Sequence, residues 1–233
     1  IYHILYSQII KDVHMDQLAL NRLLDSHEES LKNTSISLRS KVRLDLSKQD
    51  ITGCSIENRA WLNGVSFNGS DLRRVRIDYC NLGGVSFQAA SCEGIHINNS
   101  LLDGADFLKA SLVQASITGC NQKLIDQTSH ISKANFKLAN LSRVLIHTCD
   151  LEETVFSEAK MGQAHLRKVN FDGSDLRYAN MDRAETSQVS IRDADCRGLY
   201  ARFAGLSHIS LDRSDLRGAD FSHSEFFGST SLD

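Results

Sequence analysis

The segment LRKVNFDGSDLRYANM, residues 166–181, contains the pattern that decides the fold. A large apolar residue stands at every fifth position, and a small residue stands two positions before most of them. The large residues of this segment are Leu166, Phe171, Leu176 and Met181. The same frame runs from Ile131 to Phe226, with a few smaller residues at the central position. The repeat unit of this chain is therefore five residues long.

A period of five fits neither the 3.6 residues of a helix nor the uninterrupted alternation of a long strand. If the three residues around each centre are extended, the large and the small residue point to one side and the residue between them points outward. That outward residue is often polar, as at Asn135, Asn140, Asp150, Asn170, Asp175, Asn180, Asp195, Asp215 and Asp220. The remaining two residues must turn a corner, where glycine and positive φ are expected. Glycines in this part of the repeat are Gly162, Gly173, Gly198, Gly218 and Gly228. Each unit thus predicts one short side and one corner of a coil.

The repeats resemble those of the pentapeptide-repeat proteins, whose pattern is roughly Ala-(Asp/Asn)-Leu-x-x. Matching units are Ala-Asn-Phe-Lys-Leu at 134–138, Ser-Asp-Leu-Arg-Tyr at 174–178, Ser-Asp-Leu-Arg-Gly at 214–218 and Ala-Asp-Phe-Ser-His at 219–223. This resemblance implies a mainly β fold, a right-handed parallel β-helix with four sides and four pentads per coil. Successive coils would stack through backbone hydrogen bonds about 4.8 Å apart.

Residues 1–33 follow a different rule, because their apolar residues recur at helical spacing. This predicts two amphipathic helices, broken near His14 and ending near Asn33. We expect residues 1–35 to form a helical cap that covers the open end of the first coil, and residues 36–233 to form the β-helix. A pair of helices that binds a partner is the alternative.

Two irregularities interrupt the repeat. The register slips by one residue near Trp61, which predicts a bulge at a corner. The gap from Ile117 to Ile131 is 14 residues, which fits either two pentads plus four residues or one pentad plus nine. Only the second choice keeps five phenylalanines in one column, one per coil. We therefore predict a nine-residue insertion and a stack of Phe67, Phe87, Phe107, Phe136 and Phe156.

The insertion predicts a protruding loop near residues 119–128. Loops on a rigid scaffold often carry binding residues, so this one is a candidate contact site. Its candidate contact residues are Cys120, Asn121, Lys123 and Asp126. Insertions in repeat proteins are also tolerated without a role, and the sequence leaves both interpretations open.

The six cysteines and nine histidines do not form a metal, cofactor or catalytic site in this frame. Five cysteines fall at inward positions and contain no Cys-x-x-Cys pair, so they are predicted to pack as small apolar residues in a reducing compartment. Cys120, at the edge of the loop, is the one candidate for a reactive thiol. The histidines fall mostly at outward positions or corners, without carboxylates at metal-ligand spacing.

A column of aspartates runs beside a column of arginines on three successive coils. Together with two further arginines they form the candidate interaction surface: Asp175, Arg177, Arg192, Asp195, Arg197, Arg202, Asp215 and Arg217. One interpretation is a solvated face whose charges neutralise each other, which contributes little per pair. The other interpretation is a flat polar surface that another protein recognises.

Composition and architecture limit the function. The chain has 26 Lys and Arg against 29 Asp and Glu, a net charge of −3, so neither direct nucleic-acid binding nor a strongly acidic surface is expected. No run of apolar residues is long enough for a membrane span. A tube filled with side chains lacks the cleft that enzymes use, so catalysis is not expected.

These observations favour a non-catalytic module that binds another protein. It could belong to a larger bacterial secreted effector delivered into a host cell, since the sequence starts at Ile1 and not at Met, and end-to-end association is open. Some members of the family resemble B-DNA, occupy the DNA site of topoisomerases such as gyrase and give quinolone resistance. That alternative needs a strongly acidic surface and a C-terminal dimerisation element, and this sequence departs from both. A third interpretation is a rod that spaces two neighbouring domains.

Overall fold

The structure is a computed structural model that describes residues 14–35, 42–120 and 134–231. It contains a helix, α1 (Gln17–Lys32), followed by short strands. The strands are β1 (Leu44–Asp45), β2 (Ser55–Glu57), β3 (Val65–Ser66), β4 (Arg76–Asp78), β5 (His96–Asn98), β6 (Ser116–Thr118), β7 (Leu145–Asp150), β8 (His165–Asn170), β9 (Glu185–Ser190), β10 (Gly205–Ser210) and β11 (Glu225–Phe227). Within these stretches the protein is therefore mainly β after a single N-terminal helix.

Strands of successive coils pair in parallel. Nine strands form one sheet in the order β11-β10-β9-β8-β7-β6-β5-β4-β2, while β1 pairs with β3. The other sides of each coil are joined by isolated parallel bridges, such as the column Asp175, Asp195 and Asp215. The chain is thus a solenoid of about nine coils, which confirms the predicted parallel β-helix.

The pairing divides the surface into four faces, which follow one another along each coil. Strands β8, β9 and β10 of the nine-stranded sheet turn a corner at Lys168, Gln188 and His208, so their last residues, Asn170, Ser190 and Ser210, lie on the fourth face. The ladder face carries Asp175, Asp195 and Asp215, and the aromatic face carries Asn180, Tyr200 and Asp220. The sheet face carries the first halves of the same strands, in the columns that begin at His165, Glu185 and Gly205. The ladder and aromatic faces therefore share one corner of the tube, and the aromatic and sheet faces share the next.

The strand register confirms both irregularities of the repeat. The step from Ser55 to its partner Arg76 is one position longer than the step from Arg76 to His96. The step from Ser116 to its partner Leu145 is nine positions longer than the step from His96 to Ser116, and the chain then returns to the same columns. Residues 121–133 lie outside the described part of the chain. The shape of the predicted loop therefore stays a prediction.

The predicted phenylalanine stack fills the tube beneath the ladder face. Consecutive rings from Phe67 to Phe156 lie 5.4, 4.6, 4.8 and 4.8 Å apart between centroids, with interplanar angles of 12°, 4°, 3° and 3°. Phe171, from the fourth face, meets Phe156 edge-on at 5.3 Å. All of these rings are fully buried. The spacing of the rings follows the spacing of the coils, so each ring contacts its neighbours over a whole face.

The corners need positive φ far more often than they need glycine. Arg143, Gln163 and Arg183 all have φ of 58° at the second position after their centres, where Gly173 and Gly198 also lie. Gly162, predicted at such a corner, lies one position earlier and is not among the positive-φ residues. A non-glycine residue with positive φ costs about 1 kcal/mol or more of conformational free energy. Backbone bonds between coils offset that cost, for example Arg143 N–H to the Gly162 carbonyl at 3.0 Å.

Helix α1 covers the first coil. It begins after Asp16, whose carboxylate accepts a hydrogen bond from Ala19 N–H at 2.8 Å, and it ends near Asn33 as predicted. Leu20 and Leu24 join the core of the tube. The first helix predicted from the sequence falls in residues 1–13, outside the described residues. The boundary between residues 35 and 36 borders another such stretch and also stays a prediction.

Gln17 connects this helix to the free edge of the sheet. Its side-chain amide donates to the Ser55 carbonyl at 2.7 Å and accepts from Ser55 N–H at 2.6 Å, as a neighbouring strand would. Glu28 accepts the Trp61 N–H at 3.1 Å, next to the slipped register. The helix thus satisfies backbone groups that the first coil would leave exposed at its end.

The other end of the described solenoid is less covered. Phe226 pairs in register with Leu206, but its side chain is 43% exposed, although the repeat predicts an inward position. Leu216 and Phe221 are only partly buried as well. The reason is that, among the described residues, no further coil packs on this one. An inward side chain is therefore buried only where a coil, or helix α1 at the first coil, covers it on both sides.

We expect Phe107→Ala to lower the free energy of unfolding by about 3–5 kcal/mol, because it leaves a cavity between two stacked rings. Phe203→Ala is the control, since that ring lies on the surface, and its effect should stay within about 1 kcal/mol. Urea unfolding followed by circular dichroism measures both. Equal effects of the two substitutions would contradict the buried stack.

Candidate interaction surface

The predicted columns of opposite charge form a continuous ladder on the ladder face. Each arginine binds the aspartate of its own coil through two nitrogens: Arg177 Nε and Nη2 lie 2.8 Å from the two oxygens of Asp175. The pairs Arg197–Asp195 and Arg217–Asp215 repeat this geometry, with contacts of 2.6 to 2.9 Å. We call these six residues the Asp–Arg ladder.

The ladder also connects neighbouring coils. Arg177 Nε lies 3.6 Å from an Asp195 oxygen, and Arg197 Nε lies 3.7 Å from an Asp215 oxygen. Stacked carboxylates about 4.8 Å apart would repel one another, and each arginine offsets that repulsion by lying between two of them. The hydrogen bond from Arg217 and its charge lower the pKa of Asp215 to about 2. The ladder therefore neutralises itself at neutral pH.

Arg192 and Arg202 do not extend the ladder on its own face. Arg192 Nη2 binds Asp172 at 2.8 Å on the fourth face, and Arg202 Nε binds Asp182 at 3.1 Å on the aromatic face. Each reaches a carboxylate one coil earlier. The predicted surface of eight residues is thus divided among three faces, because Arg192, Arg197 and Arg202 belong to successive pentads and a corner separates each pentad from the next.

Cys120, expected to be accessible at the loop edge, is fully buried. Its N–H donates to Cys149 Sγ at 3.4 Å, and its own Sγ lies 3.6 Å from the Ile97 carbonyl. The contact with Cys149 and burial raise the pKa of the Cys120 thiol well above its usual value. The prediction of a reactive thiol is therefore wrong, because Cys120 still packs on the next coil, where its carbonyl accepts a hydrogen bond from Asp150 N–H at 3.2 Å. Asn121, Lys123 and Asp126 lie outside the described residues.

The remaining cysteines are buried and unpaired, as the frame predicted. Burial raises the pKa of Cys196 to about 12, so its thiol stays protonated. Among residues 14–35, 42–120 and 134–231, no cluster of three or more His, Cys, Asp or Glu side chains could hold a metal ion. The helix found in these stretches, α1, has 16 residues and is too short to span a bilayer.

The aromatic face carries a feature that sequence analysis missed. Tyr178, Tyr200 and Phe203 are 60%, 41% and 56% exposed. Tyr178 lies at the corner with the ladder face, and one coil later Tyr200 lies on the aromatic face and Phe203 at its corner with the sheet face. A Cβ at Gly198 would lie 2.6 Å from the Tyr178 ring, so the ring covers this glycine. The signal was present in the sequence, since Tyr178 and Phe203 occupy the same position of the repeat. The repeat pattern alone predicts only a turn there.

Flat side chains continue along the corner between the aromatic face and the sheet face. Arg143 Nε donates to the Gln163 side-chain oxygen at 2.9 Å. The Arg183 guanidinium lies 5.8 Å from the centre of the Phe203 ring, and that ring stacks on His223 at 4.8 Å with an angle of 10°. These residues form the corner column, defined as Arg143, Gln163, Arg183, Phe203 and His223.

A shallow trough lies between this corner column and Tyr178. Two adjoining depressions share Ser142, Gly162 and Asn180, which form its floor. The trough exists because Gly162 has no side chain at an outward position where Asp182 follows one coil later. Its rim is completed by Lys160 and Tyr200. The depression is wide and open to solvent, unlike an enzyme cleft.

The repeats match a known family over most of the solenoid. The family described as pentapeptide repeats matches in eight copies, over residues 58–88, 86–121, 149–185 and 191–230, more than half of the chain. This chain is a pentapeptide-repeat protein. A comparison with curated protein sequences found no match.

Several solved structures of pentapeptide-repeat proteins are similar to this one. HetL, involved in heterocyst differentiation regulation in the cyanobacterium Nostoc sp. strain PCC 7120, is 25% identical, with 78% of this chain and 87% of HetL covered and a TM-score of 0.33. A trypsin-treated form of QnrB1, a plasmid-mediated fluoroquinolone resistance protein, is 24% identical, with 79% and 77% covered and a TM-score of 0.43. A protein of the Arabidopsis thaliana thylakoid lumen is 22% identical, with 50% and 65% covered and a TM-score of 0.17. What this chain shares with them is the pentapeptide repeat.

The ladder predicts how Asp215 titrates. Its pKa should be about 2 in the folded protein, below the ordinary value of 3.8. Its stabilising contribution is then complete above pH 4 or so and is lost as the pH falls through about 2. Carbon-detected NMR titration measures this pKa, and Arg217→Gln should raise it toward the ordinary value. An ordinary pKa in the unsubstituted protein would show that the pair does not persist in solution.

Proposed function

We propose that this pentapeptide-repeat protein is a non-catalytic module that binds another protein through its aromatic face. The observation that carries the proposal is the cluster of exposed Tyr178, Tyr200 and Phe203 beside arginines on one wall. Tyrosine, phenylalanine and arginine are enriched where proteins bind one another, and a few such residues supply most of the binding energy. Solvent alone gives no reason to keep three large rings on one face.

The rigidity of the wall supports the same proposal. Tyr178 N–H donates to the Arg197 carbonyl at 3.0 Å, and Phe203 N–H donates to the Ser222 carbonyl at 3.1 Å, so the backbone of each ring is fixed to the next coil. The rings are held further by Gly198 beneath one and His223 against the other. Binding to a surface that is already ordered loses little conformational entropy.

The architecture favours binding over catalysis. The bore of the described coils is filled by apolar side chains, and the trough on the aromatic face is open to water. The surface carboxylates of the ladder are held by arginines, which lowers their pKa values and makes them poor general bases. A flat wall with paired charges can recognise a surface but does not exclude water from a reaction.

The thiols support a reducing compartment as the place of function. All six cysteines are free and buried, and Cys120 and Cys149 lie in contact without a disulfide. The bacterial cytoplasm meets this condition, and so does the cytosol of a host cell into which a larger secreted effector delivers such a module. The aromatic face would be the binding surface in either setting.

The proposal predicts binding that depends on one face. The unsubstituted chain and two triple variants are immobilised and exposed to a lysate of the source cells. The first variant carries Tyr178→Ser, Tyr200→Ser and Phe203→Ser; the matched control carries Arg177→Gln, Arg197→Gln and Arg217→Gln on the ladder face. We expect a protein that the unsubstituted chain and the control retain and that the first variant loses. Calorimetry with the purified partner should then show a Kd raised about tenfold or more by the first variant.

Two results would contradict the proposal. If only the ladder variant failed to retain the partner, the binding surface would be the ladder face. The absence of any protein that distinguishes the faces would remove the interaction module altogether, and a spacer between domains would then be the better account. Circular dichroism of all three chains establishes that they are equally folded.

Mimicry of DNA, which inhibits or protects gyrase, is less well supported. Such mimicry needs rows of free carboxylates in place of phosphates, but Asp175, Asp195 and Asp215 are each bound by an arginine. We therefore expect no inhibition of gyrase supercoiling, and no protection from a fluoroquinolone, when the protein is added in stoichiometric amounts. Either effect in a supercoiling assay would reverse the order of the two functions.

A further inference from the structure

We infer that the trough on the aromatic face binds a short, extended, acidic segment of the partner protein. This inference rests on the proposed function and adds the chemistry of the partner. Three observations carry it: an open depression at Gly162, cations around the depression that have no carboxylate partner among the described residues, and aromatic rings at one end.

The charges around the trough are unbalanced, unlike those of the ladder. Arg143, Lys160 and Arg183 are exposed, and none of them forms an ion pair with a carboxylate in the described part of the chain. The two carboxylates that line the trough have other partners: Asp182 binds Arg202, and Glu158 lies 3.9 Å from the Lys137 ammonium. The trough therefore presents a local positive charge on a chain whose net charge is −3. Carboxylates of a partner are the complementary groups.

The shape fits an extended backbone. Arg143 and Phe203 lie three coils apart in the corner column, which corresponds to about 14 Å, the length of about four extended residues. The Ser142 hydroxyl donates its hydrogen to Asn140 Oδ1, so its oxygen can accept a hydrogen bond from a passing peptide. The Asn180 side chain uses its oxygen and one N–H on Asp182, which leaves its second N–H as a donor. Tyr200 and Phe203 at the far end offer apolar area for one larger side chain of the segment.

A single-stranded nucleic acid also combines negative charge with affinity for aromatic rings. The observations favour the peptide, because the cations of the trough are few and the side chains of Asp182 and Glu158 line the same trough. Fixed carboxylates at these positions repel a continuous row of phosphates, whereas a peptide can place an acid only where a cation stands.

Gly162 allows the trough to be filled without damage to the fold. Its φ is not in the left-handed region, and a Cβ there would meet the Asp182 carbonyl oxygen at 3.6 Å and Asn180 Oδ1 at 3.8 Å, which are ordinary contacts. Gly162→Gln therefore closes the depression with a neutral side chain. Arg183→Glu reverses one charge of the rim, and Lys168→Glu is its matched control. Both positions are exposed corners with positive φ, but Lys168 lies at the opposite edge of the sheet face.

The test begins with random heptapeptides displayed on phage, selected on the unsubstituted full chain and counter-selected on the Gly162→Gln variant. We expect the selected peptides to contain more Asp and Glu than Lys and Arg. A fluorescein-labelled synthetic copy should bind about tenfold or more weakly to Gly162→Gln and to Arg183→Glu, and within about twofold as tightly to Lys168→Glu, in fluorescence anisotropy. Raising the salt concentration should weaken binding, because it screens the exposed charges.

Selected peptides without an excess of acids, or equal binding to Gly162→Gln, would overturn the inference. Tighter binding of a labelled oligo-uridine strand would also overturn it. So would a dimer in sedimentation velocity in which a second copy of the chain occupies the trough. These failures differ from failure of the proposed function. If the triple aromatic variant loses the partner but Gly162→Gln still binds it, the inference of an acidic segment is wrong and the proposed protein-binding module remains supported.

Discussion

Backbone hydrogen bonding between coils in a fixed register is the constraint on which the rest of this structure depends. Because each coil repeats the path of the previous one, every side chain lies above its counterpart at about 4.8 Å. Positions that are unrelated in a compact globular domain become neighbours here. The sequence must therefore be compatible with itself from one coil to the next, and this requirement organises both the core and the surface.

Self-stacking favours some side chains and disfavours others. Phenylalanine gains from it, since parallel rings from Phe67 to Phe156 remain in contact throughout the stack. Stacked aspartates repel one another. Arginines between successive carboxylates offset this repulsion, as Arg177 does between Asp175 and Asp195. Around the trough of the aromatic face, the described cations have no such partner. The charges of the ladder are thus paired, whereas Arg143, Lys160 and Arg183 at the trough form no ion pair among the described residues.

The five-residue repeat and the alignment of equivalent residues in successive coils predicted most of the fold from the sequence. The phenylalanines determined the nine-residue insertion, because only one alignment places all five rings together, and the register of β6 and β7 agrees. Burial of Cys120 could not be predicted, since it depends on which residue is the last to pair before the insertion. The trough could not be predicted either, because it arises from a missing side chain at Gly162 and from rings on two different corners. The repeat specifies which way a residue points, but not how the exposed residues of adjacent sides combine.

The described coils on either side of residues 121–133 pair in the same columns, with Leu145 opposite Ser116. The coils on either side of the insertion keep their pairing, so the length of the inserted segment does not affect their stacking. The entropic cost of closing a loop increases only slowly with its length. A graft at this corner could therefore change in length and composition independently of the wall, which makes the junction a natural position for exchanging or displaying new segments.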